Sequence, residues 1–381
     1  MDRVAVNPDL LLWACERAGS SVEDLATRLP KLPLWIQGEK QPTLKQLENF
    51  AKATRAPLGY LFLEKPPAEK LPIPDFRTVA NRPLDRPSPD LMDTLHICQQ
   101  RQEWYREFAL SMDFKPLDFV GSITTRNSEK AAASSIRESL CFNLEERRKM
   151  PTWTDALRKF IEQADEAGIL VMVSGVVGSN NTRKLDPEEF RGFTLTDPIA
   201  PLVFINGSDT KAAQMFTLAH ELVHVWLGKS ALSDSQALKT PEHRIEAWCN
   251  RVAAEILVPL DLLRGEFDRK ATLGDEVERL ARRFKVSSLV ILRRMHDAGH
   301  LDPDRYWMEY RNLAARLLAL PRGSGGNFYL TLGARVSKRF ARALTASALE
   351  GHCSFTDAFR LLGFKRMATF NELGHQLGVL V

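Results

Sequence analysis

Residues 217–228 read TLAHELVHVWLG, with two histidines four apart and a glutamate directly after the first. On a helix, positions i and i+4 lie one turn apart on one face, so His220 and His224 can both reach a single Zn²⁺. Glu221 projects to the side of that pair, where it can hold and deprotonate a water. Phe216, Leu218, Leu222, Val223, Val225 and Leu227 are apolar, which makes this a largely buried helix. Two imidazoles and a carboxylate are costly there without a metal or other polar partners.

A catalytic zinc needs a third protein ligand and an open position. The segment EHRIEAWCNRVAAEILVP, residues 242–259, offers Glu242, His243, Glu246 and Glu255. Ile245, Trp248, Cys249, Val252 and Ile256 follow core spacing, and Glu246 lies at the edge of that stripe. Glu246 suits the third ligand best, with Glu242 and His243 as alternatives. Asn250, one turn on, shares the face of Glu246 and is a candidate to support the ligands from behind. Glu255 falls on a more exposed side and reads as solvated. HDAGH, residues 296–300, repeats the histidine spacing without the glutamate, and Gly299 weakens the helix that would align the pair. It reads as a helix end with surface histidines.

The pattern around these residues predicts an α+β fold, mostly helical. Residues 7–63 read as short helices: PDLLLWACERAG, then SSVEDLATRL with Ser20 three before Glu23 as a capping box. LPLWIQGEKQPT follows, and then TLKQLENFAKATRAP with Leu44, Leu47, Phe50 and Ala51 on one stripe. That layout, residues 1–66, is the layout of a helix-turn-helix bundle. Residues 64–90 hold seven prolines and read as a linker or strapped segment, and 67–150 as that linker plus helices. From 151 to 300, GILVMVSGVVG, FRGFTLT and PLVFING are strand candidates ahead of the two histidine- and glutamate-bearing helices. PLVFING can be the edge strand on which an extended substrate pairs, or simply core. Residues 301–381 form a basic helical domain interrupted by PRGSGGN.

Net charge is +4 in 381 residues, but residues 301–381 carry 11 Lys or Arg against 6 Asp or Glu. Arg335, Lys338, Arg339 and Arg342 in RVSKRFAR would cluster along a helix and are candidates for nucleic-acid contact; a solvated helix face is the plainer account. Residues 1–66 hold 9 basic and 8 acidic groups, weak support for reading DNA, so that bundle can equally serve homodimerisation or substrate docking. No apolar run reaches membrane-span length, which leaves out a membrane partner. MDRVAVNPDL is no signal peptide. The five scattered cysteines read as reduced thiols in a cytoplasmic protein.

FTLAHELVH followed by EAWCNRVAAEILVP resembles the ImmA/IrrE family of zinc metallopeptidases, over roughly residues 150–260. Cys249 stands where that family usually has alanine, and Val252 where phenylalanine is usual. The resemblance implies a zincin-like core, His220, His224 and Glu246 as zinc ligands, and Glu221 as general base. WIQGEKQPTLKQLENFAKATRAPLGYLF resembles the Xre class of helix-turn-helix regulators, a less specific pattern. Together they look like a fused regulator and metallopeptidase of bacteria and phages. IPDFRT and GGNFY…RFARAL also look familiar from such fusions, without assignable chemistry. The expected function is a zinc endopeptidase cutting one repressor-like regulator in a stress or mobile-element response, gated by a ligand such as single-stranded DNA. The alternative is a DNA-binding regulator or antitoxin-like module with a silent zincin domain, although a silenced site has no reason to keep Glu221. His243, Tyr306 and Tyr310 are nominees for oxyanion stabilisation.

Overall fold

A computed structural model describes residues 3–75, 78–79, 82–83, 87–233, 244–318 and 333–380. The chain divides into two compact units, Met1–Pro72 with Asp85–Asp93, and Ile73–Leu84 with Thr94–Val381.

The first unit contains α1 (Pro8–Arg17), α2 (Val22–Ala26), α3 (Leu32–Ile36) and α4 (Leu44–Thr54), then a 3-10 turn at Leu58–Phe62. Polar side chains start the helices, because the first turn has backbone N–H groups with no partner inside the helix. Asn7 caps α1, and Thr43 and Gln46 form a reciprocal box on α4. The cap expected at Ser20 sits one residue later: Ser21 Oγ accepts from Asp24 N at 3.0 Å. Leu10, Leu11, Ala14, Leu32, Trp35, Leu47, Phe50 and Leu61 fill the core. Leu44, expected in that stripe, is 49% exposed, because it stands at the first helical position, before the turns that pack.

The second unit is built on a four-stranded sheet. Its strands are β3 (Leu170–Ser174), β4 (Gly192–Leu195), β5 (Leu202–Asn206) and β6 (Ala231–Ser233), in the order β3-β5-β4-β6. A separate two-residue hairpin, β1 (Thr78–Val79) and β2 (Arg82–Pro83), precedes it. β5 runs parallel to β3 and antiparallel to β4, and β6 is antiparallel to β4. PLVFING is therefore an interior strand: both edges of β5 are already paired, so no peptide can add to it. The outer edge of β6 is met by the proline-rich segment, where Leu232 N donates to Pro74 O at 3.0 Å.

Helices α5 (Pro89–Ser111), α6 (Glu129–Ser139), α7 (Leu144–Lys149) and α8 (Trp153–Glu166) lead to the sheet. After β5 come α9 (Lys211–Leu227) and α10 (Arg244–Leu257). Then follow α11 (Leu260–Glu266), α12 (Leu273–Phe284), α13 (Ser288–Asp297) and α14 (Pro303–Leu318). The chain closes with α15 (Lys338–Leu349), α16 (Phe355–Leu362) and α17 (Met367–Gln376). The loop PRGSGGN lies outside the described residues. None of the described helices is long and apolar enough to cross a membrane.

Helix α9 is the centre of this unit, packing on α8, α10, β4 and β5. Thr210 caps its start, and Gly228 ends it in the left-handed region, φ +65°, where a side chain would be strained. Every side chain from Gln214 to Leu227 is buried, and Trp226 stacks on Phe119 at 4.3 Å. Burying Leu218, Leu222 and Val225 is worth about 1.5–3 kcal/mol each. That gain supports a helix that must also hold three ionisable groups in the same core.

Glu255, expected to be solvated, is 6% exposed. The turn after α10 folds α13 over it. Arg294 Nη2 donates to its Oε2, and the same guanidinium donates through Nε to Val258 O at 2.9 Å. Removing one partner of a buried ion pair leaves the other charge uncompensated. Arg294→Leu is therefore expected to destabilise this unit by about 3–5 kcal/mol, read as a drop in the denaturant midpoint, whereas Lys338→Ala, at an exposed pair, should change it little.

Candidate metal centre

Two adjacent helices supply the site. His220 and His224 stand one turn apart on α9, and Glu246 comes from the first turn of α10. His220 Nε2 lies 3.0 Å from Glu246 Oε2, His224 Nε2 lies 3.1 Å from Glu246 Oε1, and the two Nε2 atoms are 3.2 Å apart. Both histidines are completely buried and Glu246 nearly so. Among the described residues this is the one group of three His, Cys, Asp or Glu side chains whose ligating atoms converge.

The electrostatics follow from burial and mutual contact. Burial pushes the Glu246 carboxyl up, but the adjacent His220 and His224 outweigh it and hold it well below the usual carboxylate range. Burial pushes His220 down, while Glu246, Glu221 and Asn250 more than offset this and leave it raised. Glu221 is raised, because its burial exceeds what the two histidines and Thr194 return.

Glu221 points from α9 toward the sheet. Thr194 Oγ1, on β4, lies 2.7 Å from Glu221 Oε2 and donates to it. Side chains alternate along a strand, so Gly192 and Thr194 face α9 while Phe193 faces away and stacks on Phe204 at 4.9 Å. Gly192 has a steric reason. A Cβ there would lie 2.7 Å from Thr217 Cγ2, 2.9 Å from Phe204 O and 3.1 Å from Glu221 Oε1.

The residues fit a metal. Four atoms with lone pairs, the two histidine Nε2 and both oxygens of Glu246, meet with neighbours 3.0–3.2 Å apart, close to the roughly 3.3 Å that separates ligands on a tetrahedral zinc with bonds near 2.0–2.1 Å. Buried polar atoms without a hydrogen-bond partner gather in the same place: His220 Nδ1, Glu221 Oε1 and Asn250 Oδ1. Asn250 is half-buried beside His220, near enough to favour its charged form, although the pair makes no hydrogen bond of good geometry. Glu242 and His243, the other ligands considered from sequence, lie outside the described residues.

The other expected residues are placed elsewhere. Arg335 is buried ahead of α15; Lys338 pairs with Glu162 at 2.8 Å. Arg339 donates to Tyr105 Oη and Asp165 O, and Arg342 donates to Leu377 O. Arg339 and Arg342 thus meet backbone carbonyls of neighbouring helices, while Lys338 and Arg342 stay exposed at the surface. His296 and His300 are half-buried, not surface groups, because each ring stacks on a neighbour: His296 on Tyr306 at 4.7 Å, His300 on Phe267 at 4.0 Å. Tyr306 is core of the α13–α14 pair, and Tyr310 stacks beside it at 6.2 Å. Thr194 and Gly192 went unnoticed in sequence. A glycine inside a strand pattern, two residues before a threonine among apolar neighbours, was the available signal of a close approach.

Residues 164–296 match the family Peptidase_M78, described as an IrrE N-terminal-like domain, and residues 336–376 match DUF8813, a domain of unknown function. The stretch carrying the site is thus similar to a metallopeptidase domain. In particular, the chain is similar to the radiation response metalloprotease IrrE of Deinococcus radiodurans, 34% identical over 97 residues, 24% of this chain and 30% of that protein. The protein of the same name from Deinococcus deserti is 36% identical over 97 residues, 24% of this chain and 34% of its own. The chain spans about a third of the length of these relatives. No solved structure matches it.

The crowding at Gly192 yields a test. Gly192→Ala forces a methyl against a backbone carbonyl and the Glu221 carboxylate, so it is expected to cost about 1–3 kcal/mol in a denaturant melt of the metal-free protein. Gly274→Ala, with nothing within 4 Å of the added carbon, should be nearly neutral or slightly stabilising.

Proposed function

We propose that the chain is a zinc-dependent endopeptidase whose target is one regulatory, repressor-like protein. The observation that carries this is the convergence of His220, His224 and Glu246 inside the core with Glu221 held beside them. His220 and His224 would hold the ion through Nε2, and Glu246 through its carboxylate. When bound, zinc polarises a scissile carbonyl and acidifies the attacking water. Asn250 Oδ1 would accept from His220 Nδ1, fixing the tautomer that turns Nε2 to the ligand set. Glu221 takes the proton of the attacking water and passes it to the leaving amine.

A single target is proposed because the β6 edge of the sheet is not open. β5 is interior, and the outer edge of β6, the end of the sheet on the side of β4, is met at Leu232 by Pro74, so an extended chain finds neither of these two edges open. A substrate must bring enough binding energy to displace that contact, which an unfolded chain of arbitrary sequence lacks. The comparisons favour the same chemistry, since both relatives are named as metalloproteases. A silent site is not favoured, because Thr194 is spent on holding Glu221.

Metal analysis of the purified protein is expected to give one zinc per chain, none in His224→Ala, and a full complement in Glu221→Gln. Incubated with regulators encoded beside it, the zinc-loaded parent should cut one of them and leave casein nearly intact. Glu221→Gln should lose at least about a hundredfold in that cleavage. Normal processing by Glu221→Gln would sink the mechanism; equal zinc in His224→Ala and parent would sink the ligand assignment.

A further inference from the structure

We infer that Thr194 is a positioning residue for the Glu221 carboxylate, dividing its two oxygens between an anchored one and a free one. The inference rests on the peptidase reading and deepens it. Thr194 is completely buried, and its hydroxyl proton has two acceptors in reach: Glu221 Oε2 at 2.7 Å and Glu221 O at 3.0 Å. The carboxyl oxygen is the closer acceptor, at 2.7 Å against 3.0 Å, and it is the end of a side chain free to turn toward the hydroxyl. The proton therefore goes to Oε2.

Oε1 is different. It is buried and makes no hydrogen bond, and Thr194 is the only hydrogen-bond partner of this carboxylate among the described residues. A glutamate has three side-chain torsions, the last of them broad, so one anchored oxygen is what fixes the plane of the group. Behind it, Gly192 lets the strand approach so closely that an added Cβ would sit 3.1 Å from Oε1. The carboxylate is thus gripped at Oε2 from the strand, and Oε1 keeps its lone pairs for the proton of the attacking water. A core-filling role alone would be met by valine, which has the same shape as threonine and carries no buried hydroxyl to satisfy.

The test compares zinc-loaded parent, Thr194→Val and Thr194→Ser on the regulator, among those encoded beside the chain, that the parent cuts best, beside crystal structures of parent and Thr194→Val. Thr194→Val is expected to keep one zinc per chain and the parental KM while kcat falls about 10–100-fold. Thr194→Ser, which restores the hydroxyl, should regain most of that loss. In the Thr194→Val crystal the carboxylate should leave its place against β4. Parental kcat in Thr194→Val, a loss explained by missing zinc, or a carboxylate that stays in place would each overturn the inference. If the parent cuts none of those regulators, the peptidase reading falls, and the position of the carboxylate in Thr194→Val decides the inference by itself. Should Thr194→Val not fold, Thr194→Ala carries the same comparison.

Discussion

The second unit is organised around one electrostatic constraint: two histidines and two glutamates must sit buried in its core. Moving an ion into such surroundings costs several kcal/mol unless partners are fixed in place. Here the partners are fixed by the elements that also make the core. α9 sets the spacing of His220 and His224, α10 brings Glu246 up from its first turn, and β4 supplies Thr194 to Glu221. Each group is answered by another element, so the site holds the elements together as much as they hold the site. The left-handed Gly228 and the strand glycine Gly192 belong to the same requirement, because each lets backbone come close where a Cβ would intrude.

The small sheet matters for what it closes off. β4 is only four residues long, and all four are buried. One of its faces stacks Phe193 on Phe204, and the other meets α9 at Glu221. Its outer edge is taken by β6, and the outer edge of β6 is met at Leu232 by Pro74. A strand edge with free N–H and C=O groups invites pairing with any extended chain. The fold lays its own Pro74–Asp75 segment against that edge at Leu232.

Much of this was legible in the sequence where local pattern decides. The four-residue histidine spacing, the apolar neighbours of α9 and the three strand segments came from periodicity, which the fold obeys. The family resemblance to metallopeptidases was carried by the same residues, and the match over 164–296 points to that class. What could not be read depends on contacts between distant residues. Glu246 and Glu255 lie nine apart on one helix, and both are buried carboxylates. Glu246 was marked as the ligand by its place at the edge of the apolar stripe, but only the fold shows that Glu255 is buried too and meets Arg294. The interior place of β5 has the same origin, since its apolar run fits a central strand and an edge strand alike.

The basic C-terminal segment shows why charge is the weakest of these signals. Arg335, Lys338, Arg339 and Arg342 look like a phosphate-binding row, yet the fold uses guanidinium groups there to satisfy carbonyl oxygens at Asp165 and Leu377 and the hydroxyl of Tyr105. Arginine serves this purpose because its five N–H donors reach several acceptors at once and its long stem packs against apolar surface. Arg147 does the same for the carbonyls of Leu257 and Lys285, and Arg101 for that of Leu361. In a mostly helical protein, helix C-termini leave carbonyl groups unpaired, and buried arginines are one way to meet them. The positive charge of residues 301–381 thus belongs in part to the joining of helices, which a count of lysines and arginines along the chain cannot separate from a surface made for nucleic acid.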